Sequence, residues 1–585
     1  MQDNLRRNPK QFWNFVNSKR KENGLPVEMY LGRDVGHSSS EKCELFATHF
    51  KTAFNNLTAS VAEIACRDTP NNACELTNFI VDHQQVESAI SKLKYSTSAG
   101  LDGIPSCVLK RCSSALVHPL TLLFNMSLRE RRFPSFWKLS IMFPIHKKGD
   151  KQNIENYRCI TSLCACSKVF EIVINEVLFT SCKNYISADQ HGLYPKRSVS
   201  TNLVQFVSLC IRSLKAVSQV DVIYTDLKAA FDRVDHRILL LKLDKLGIAG
   251  DLIEWFESYL TGRSLCVKIG SEVSECFSNT SGVPQGSNLG PLLFSIFINE
   301  LSELLPLGHR LFYADDVKLF VIVNSVHDCY MLQEIINKFE EWCSRNLLTI
   351  SIPKCNVISF HRKRNPIIYD YSITNQPLSR VESIRDLGVI LDSGLTFRLH
   401  YDSIISKANR QLGFIFKITN EFRDPHCLRS LYCALVRSIL ESNAIVWCPY
   451  QTTWINRFES IQKRFLRYAL RMLPWRDPVN LPPYEHRCRL LGLDTLEHRR
   501  FVAQVVFVAK ILLGETDAAE ILAQLNIYAP ERILRQRDFL SLEARHAGYG
   551  QHDPIRFMSV KFNEVYQFFD FNSSATSLQR KLLNR

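Results

Sequence analysis

The chain has 585 residues, 46% hydrophobic and 11% aromatic, which excludes disordered, collagen-like and low-complexity classes and predicts three to four domains at about 150 residues each. Lys+Arg outnumber Asp+Glu by 72 to 58, for a formal charge of +14. A folded chain this basic points to a polyanion, with nucleic acid first among them. The 19 cysteines include no Cys-x-x-Cys. The tightest pairs, Cys164/Cys166 and Cys107/Cys112, lack zinc-site spacing, so the cysteines read as buried free thiols of a reducing compartment. Met1 to Lys10 is polar and has no signal-peptide core. The best apolar run, Gly290 to Leu307, is broken by Asn299, Glu300 and Glu303, so no membrane span is predicted.

In chain order, Asn8 to Lys21 reads as a helix with Phe12, Trp13 and Val16 on one face. Residues 31–42 read as loop and Glu41 to Phe54 as helix, with a polar boundary at 66–77. The expected organisation is a helical N-terminal connector over 1–78, then one α/β (α+β) unit of alternating strands and helices over 79–360. A stretch helical by period follows over roughly 400–472, then a proline-rich break from Leu473 to Pro483, and a mostly helical region over 484–585. No internal repeat appears.

Three blocks carry chemistry. Val220 to Asp226 is a β-rich run ending in an acid, followed by an amphipathic helix that Gly247 stops, so Asp226 leaves a strand end toward a cleft. Alone, such an Asp is more often a cap or turn residue. In His309 to Val323, two apolar strands flank Ala314-Asp315-Asp316, a hairpin with adjacent carboxylates at its tip. Carboxylates about 4 Å apart repel by roughly 4 kcal/mol at an effective dielectric of 20, so the pair calls for a cation. With Asp226 it forms a hard-oxygen set suited to magnesium; the bland reading is a solvated Asp-Asp turn. Third, Gly282-Val-Pro-Gln285-Gly286-Ser287-Asn288-Leu-Gly-Pro291 precedes an apolar helix and fixes a loop of close backbone approach.

In this order the blocks resemble the reverse transcriptases of non-LTR (LINE-type) retrotransposons. The matches are Thr225 to His236, Gly282 to Ser287 and Tyr313-Ala-Asp-Asp316. Ser98 to Pro105, Pro144 to Asp150 with Asn156-Tyr-Arg158, and Gln190-His-Gly192 match upstream. Leu387 to Asp392, Phe397 and His400 match downstream. The likeness spans roughly 90–480, best over 127–391, and the flanks look most like Jockey-type elements of arthropods.

The resemblance implies a right-hand polymerase, with fingers and palm over 79–360, a helical thumb over 361–473 and a helical C-terminal region. It implies an RNA-directed DNA polymerase that extends a primer DNA 3′-OH on template RNA with deoxynucleoside triphosphates. Two magnesium ions, with manganese as a possible substitute, would lie between Asp226 and Asp315, with Asp316 accessory and the Leu227 carbonyl completing the site. Arg158 and Lys147 or Lys148 match basic residues that clamp the triphosphate, or the lysines belong to a solvated hairpin. Phe231 matches a gate against a ribose 2′-OH, or packs in the core. Gln285, beside Gly286, matches a contact to the template or nascent pair. Lys354 matches a lysine that protonates pyrophosphate, or is a surface residue. Tyr313 belongs to the nucleic-acid contacts. On Arg457 to Met472, Arg464, Arg467 and Arg471 line one helix face opposite Phe458, Ile461, Phe465 and Ala469. In a thumb this stripe would grip the backbone, whereas basic stripes are usually solvated faces.

Three positions depart from the family: Cys159 stands where Pro is usual, Asn288 where a small or apolar residue is usual, and Lys196 where Gly is common. The expected endonuclease domain would lie elsewhere in a longer element, since about 80 residues precede Val81. No zinc knuckle or basic C-terminal module supports a maturase-like reading. Nuclear and cytoplasmic localisation is expected. The rival function is an inactive or domesticated relic that binds RNA; the intact acidic triad argues against it.

Overall fold

The computed structural model describes residues 8–19, 24–54, 72–306, 310–422, 424–471, 482–528, 538–542 and 552–583. The elements that frame the site are α1 (Pro9–Ser18), β1 (Met29–Leu31), β2 (Asp34–Gly36), α2 (Ser39–Lys51), β3 (Leu139–His146), β4 (Tyr157–Ser162), α3 (Ala165–Cys182), α4 (Val199–Lys215), β5 (Gln219–Thr225), α5 (His236–Lys245), β6 (Ser264–Ile269), β7 (Glu272–Val273), β8 (Phe277–Ser278), α6 (Gly290–Ile298), β9 (Arg310–Tyr313), β10 (Asp316–Val323), α7 (Val326–Arg345), β11 (Asn356–Phe360), β12 (Ser379–Arg380), α8 (Arg398–Ile418), α9 (Thr452–Leu470), α10 (Leu496–Leu512), α11 (Pro554–Asn563) and α12 (Ala575–Leu583). The chain is thus a mixture of helix and sheet. Among the described residues no helix is long and apolar enough to cross a membrane.

A central sheet runs β12-β11-β5-β10-β9, antiparallel except where β12 joins β11. Its strands are apolar on both faces, as expected where helices cover both sides. Val220, Val222, Phe320, Ile358 and Phe360 face one core, together with α4, α8, α9 and the late helices α10, α11 and α12. Ile223, Val317, Leu319, Val321 and Val323 face a second core built with α3, α5, α6 and α7. The alternation places successive residues of β5 and β10 in different cores.

A smaller sheet runs β4-β3-β6-β7, with β8 also on β6. Helix α2 packs on it through Phe46, Ala47 and Phe50, against Met142, Tyr157 and Val267. A reciprocal capping box starts α2: Ser38 Oγ accepts the Glu41 N–H, and Glu41 accepts the Ser38 N–H. The loop expected over 31–42 is in part a hairpin, β1 and β2 turning at Gly32 (φ 62°) and pairing Met29 with Gly36. Its strands, three residues each, are too short to register a period of two in the sequence. The apolar helix expected after the Gly282–Pro291 loop breaks at Asn299, whose amide is drawn to the Tyr185 carbonyl and the Ser187 N–H. Phe12 and Val16 of α1 enter the core shared with the late helices. Of the polar boundary expected at 66–77, residues 66–71 fall outside the described residues, and from Asn72 on the backbone is docked: the Asn72, Cys74 and Leu76 N–H groups donate to the Lys245, Leu246 and Gly247 carbonyls.

No disulfide joins any of the 18 cysteines among the described residues, and most of them are buried.

Candidate functional site

Asp226 directly follows the last residue of β5, where the strand leaves the sheet. Val317 of β10 lies opposite Thr225, so the β9–β10 hairpin tip stands beside Asp226. The tip is a two-residue turn, Ala314-Asp315, with Asp316 paired to Tyr313. Ala314 holds the left-handed conformation (φ 58°), which costs a non-glycine residue about 1–2 kcal/mol. On the far side, a single bridge pairs Leu227 with Ile350. Its bonds run from the Lys228 N–H to the Thr349 carbonyl and from the Ser351 N–H to the Asp226 carbonyl. The Leu227 carbonyl is therefore not used by that ladder.

These residues open onto a cleft of about 750 Å³, lined by Asp226, Leu227, Asp315, Asp316 and Lys354 and by Lys147, Arg158, Phe231, Gln285 and Gly286. Lys354 Nζ donates to Asp226 Oδ2 at 2.8 Å, with both side chains partly solvated. Desolvation in the cleft wall, with Asp226 adding repulsion, raises the Asp315 carboxyl above its ordinary range. The same desolvation, with Asp315, Asp226 and Asp386 adding, pushes Asp316 up to about 6. Lys147 is shifted down by desolvation and by Arg158 and Lys354. Two acids pushed up and a lysine pushed down in one cleft, each chiefly by desolvation, mark a partly dehydrated site, which is where functional groups concentrate.

The donor set is carboxylate oxygen, the chemistry that suits magnesium or manganese. An ammonium already occupies a cation's place at Asp226. Among the described residues no three His, Cys, Asp or Glu side chains converge closely enough to hold an ion as they stand. The residues thus fit the group in chemistry, and holding it requires the carboxylates to draw together.

The glycine-rich loop forms the opposite wall. Gly286 (φ 81°) passes so close to β4 that a Cβ would lie 2.6 Å from the Thr161 carbonyl oxygen. Gln285 Nε2 donates to Asp232 Oδ1 at 2.6 Å. Burial pushes the Asp232 carboxyl up to about 6, against that hydrogen bond. Buried Glu171 holds the loop from beneath, accepting the Asn288 N–H at 2.9 Å and the Tyr259 hydroxyl at 3.1 Å. Phe231 is half-buried and stacks on Phe294 with ring centroids 4.2 Å apart, while it also lines the cleft. The core and cleft readings therefore both describe this ring.

Lys148 and Tyr313 lie off the cleft lining, as do Arg464, Arg467 and Arg471. The three arginines are exposed, opposite buried Phe458, Ile461, Phe465 and Ala469, and Arg464 donates to Asn409. His49, Phe50, Thr52, Ala53 and Phe54, at the end of α2 and just beyond it, line the cleft unforeseen. Nothing local marks them, because α2 carries an ordinary amphipathic pattern. Cys159 faces the cleft with its Sγ 3.6 Å from Gln285 Oε1, and burial pushes its thiol up to about 12. Lys196 sits at φ 65°, a conformation that favours the glycine common there. Its ammonium donates to the Gly514 carbonyl at 3.0 Å.

Residues 145–391 match the reverse transcriptase (RNA-dependent DNA polymerase) family. A probable RNA-directed DNA polymerase from transposon BS of Drosophila melanogaster is 25% identical over 457 residues, 74% of this chain and 50% of that protein. A probable RNA-directed DNA polymerase from the X-element transposon of the same species is 29% identical over 444 residues, 73% and 48%. An RNA-directed DNA polymerase from mobile element jockey of Drosophila funebris is 28% identical over 464 residues, 75% and 49%. The chain spans about half the length of these curated relatives. The likeness read from the motifs holds: the chain carries a reverse transcriptase domain, and its relatives are polymerases of mobile elements.

Proposed function

We propose that this chain is the RNA-directed DNA polymerase portion of a non-LTR retrotransposon, extending a DNA 3′-OH along an RNA template. The observation that carries this reading is the convergence of Asp226, from one strand end, and Asp315 and Asp316, from a neighbouring hairpin, in a cleft with Lys147, Arg158, Gln285 and Lys354. The central sheet would be the palm, β3 and β4 part of the fingers, and α8 and α9 the thumb. The rest of the element, including an endonuclease, would lie in sequence beyond this chain, and the site of action would be nuclear and cytoplasmic.

Asp226, Asp315 and Asp316 would hold two magnesium ions, or manganese in their place, with the Leu227 carbonyl as a further ligand. When bound, the ions supply Lewis-acid activation of the primer hydroxyl and charge stabilisation of the leaving pyrophosphate. Of the two hairpin lysines, Lys147 lines the cleft, and it orients the triphosphate with Arg158 by charge-assisted hydrogen bonds. Phe231, backed by Phe294, presents a ring edge where a ribose 2′-OH would otherwise sit. Gln285 and Gly286 set the wall against the nascent pair, and Tyr313 flanks the primer end. Lys354, released from Asp226, is placed to give a proton to the departing pyrophosphate. Arg464, Arg467 and Arg471 hold the template–primer backbone without regard to sequence.

The test is magnesium-dependent extension of oligo(dT) on poly(rA), with Asp315→Asn as control. Extension lost in the control supports the reading; equal extension by both proteins overturns it.

A further inference from the structure

The Tyr313-Ala-Asp-Asp316 turn does not hold itself. Ala314 sits in a conformation that alanine avoids, and a side chain 124 residues earlier grips it. Gln190 Oε1 accepts the Ala314 N–H at 3.0 Å, and its Nε2 reaches the Ala314 carbonyl at 3.4 Å. The same Oε1 accepts the Gly192 N–H at 3.0 Å, which fixes the amide's orientation. Gln190 is buried, so water offers the turn no substitute. Residues 189–192 lie along β9 as an added strand: the Phe312 N–H donates to the Asp189 carbonyl and the His191 N–H to the Phe312 carbonyl, each at 3.0 Å. At Gly192 a Cβ would lie 2.4 Å from the Ala314 nitrogen, so only glycine lets the segment approach this closely.

The segment is braced in turn from the late part of the chain. The Arg197 guanidinium donates to the carbonyls of Ser187, Ala188 and Gln190 at 2.6, 3.2 and 2.9 Å. Its Nε donates to Asp517 at 2.9 Å, and it stacks 3.7 Å over the Tyr194 ring. The Asp517 N–H returns a bond to the Lys196 carbonyl at 3.1 Å. A contiguous polar chain therefore runs from Asp517, just past α10, through Arg197 and Gln190 to the peptide group beside Asp315.

We infer that Gln190 is a positioning residue that sets the Asp315 carboxylate, and that Asp517, through Arg197, makes the C-terminal helical region part of that setting. This rests on the polymerase reading for its kinetic consequence and not for its structural one. A misplacement of about 1 Å at a reacting constellation costs on the order of 100-fold in rate.

The test uses the full chain carrying Gln190→Met, which keeps the side-chain length and removes the acceptor, alongside Asp517→Ala and Asp517→Asn. Extension of oligo(dT) on poly(rA) is followed against magnesium concentration, with template–primer affinity and thermal melting alongside. Hydrogen exchange is read by mass spectrometry on peptides covering 310–317. Gln190→Met is expected to lower kcat on the order of 100-fold, to raise the magnesium needed for half-maximal rate, and to leave template–primer affinity unchanged. Exchange should rise at 313–316 while 219–225 and 356–360 stay protected. Asp517→Ala should move the same readouts less, and Asp517→Asn, which keeps an acceptor for Arg197, should restore them. Unchanged exchange at the turn, or lower melting with the magnesium dependence of the parent chain, overturns the inference. If the parent chain extends no primer, the polymerase reading fails by itself, and the exchange arm still decides whether Gln190 and Asp517 hold the turn.

Discussion

Two lysine–aspartate pairs flank the central sheet, and they differ in everything except chemistry. Lys318 lies 2.6 Å from Asp386, both almost wholly buried. It also donates to Asn202 at 2.6 Å, and Asp386 accepts the Tyr224 hydroxyl at 3.0 Å. Every polar end there has a partner within the chain. Lys354 lies 2.8 Å from Asp226 at 50% and 33% exposure, in a cleft where Asp315 and Asp316 face no lysine or arginine at bonding distance among the described residues. The first pair is closed and can only support the fold. The second is displaceable, because water can compensate both charges when they part.

The sharpest way to break this contrast is to remove the open acids. Asp226→Asn or Asp315→Asn should abolish primer extension while leaving template–primer binding nearly intact, as read by extension and filter binding; polymerisation retained in both would erase the distinction. Next, Lys318→Met should strand a buried Asp386 carboxylate and cost about 3–5 kcal/mol. Lys354→Met should cost less than about 1 kcal/mol but slow extension on the order of 100-fold. Urea melts of the two variants, run beside extension assays, check the pair of outcomes. Phe231→Ala sharpens the contrast for an apolar group, since this ring is stacked on one side and open on the other. It should relax deoxy-over-ribo selectivity about 100-fold for a loss of about 3 kcal/mol, with lower melting. An unaltered ratio of kcat/KM values would assign the ring to the core alone. The smallest effect belongs to the most solvated groups. Alanine at Arg464, Arg467 and Arg471 should flatten the salt dependence of template–primer binding by about one slope unit for each phosphate no longer neutralised; an unchanged slope would make the stripe a solvated face.

What was legible in the sequence follows the reach of each signal. Asp226 at a strand end and the acids of the hairpin tip are local events, set by neighbouring apolar residues and a tight turn, and they appear where the pattern places them. The late amphipathic helix is likewise visible through Phe458, Ile461, Phe465 and Ala469. The grip of Gln190 on Ala314 is invisible locally, because it joins residues 124 apart through a side-chain amide. The same holds for His49 and Phe50 at the cleft and for Lys318 in a strand that reads as apolar. The β1–β2 hairpin escaped because three-residue strands hardly register a period of two.

One hydrogen bond sets a schedule for the molecule's making. The Ser208 hydroxyl on α4 donates to Asp553 at the start of α11, 345 residues later, inside a core that α4 shares with α9, α10 and α11. At about 5–20 residues per second, the intervening chain takes on the order of 20–70 s to emerge from a ribosome. Through that interval the face of α4 around Ser208 has no α11 to cover it, whereas Phe206, turned to the sheet, already packs on Tyr224, Phe320 and Phe360. The central sheet can form early, but that face of α4 stays a sticky surface until α11 has emerged. Slow synthesis or a shortage of holding chaperones should therefore lower the yield of this protein more than its finished stability suggests.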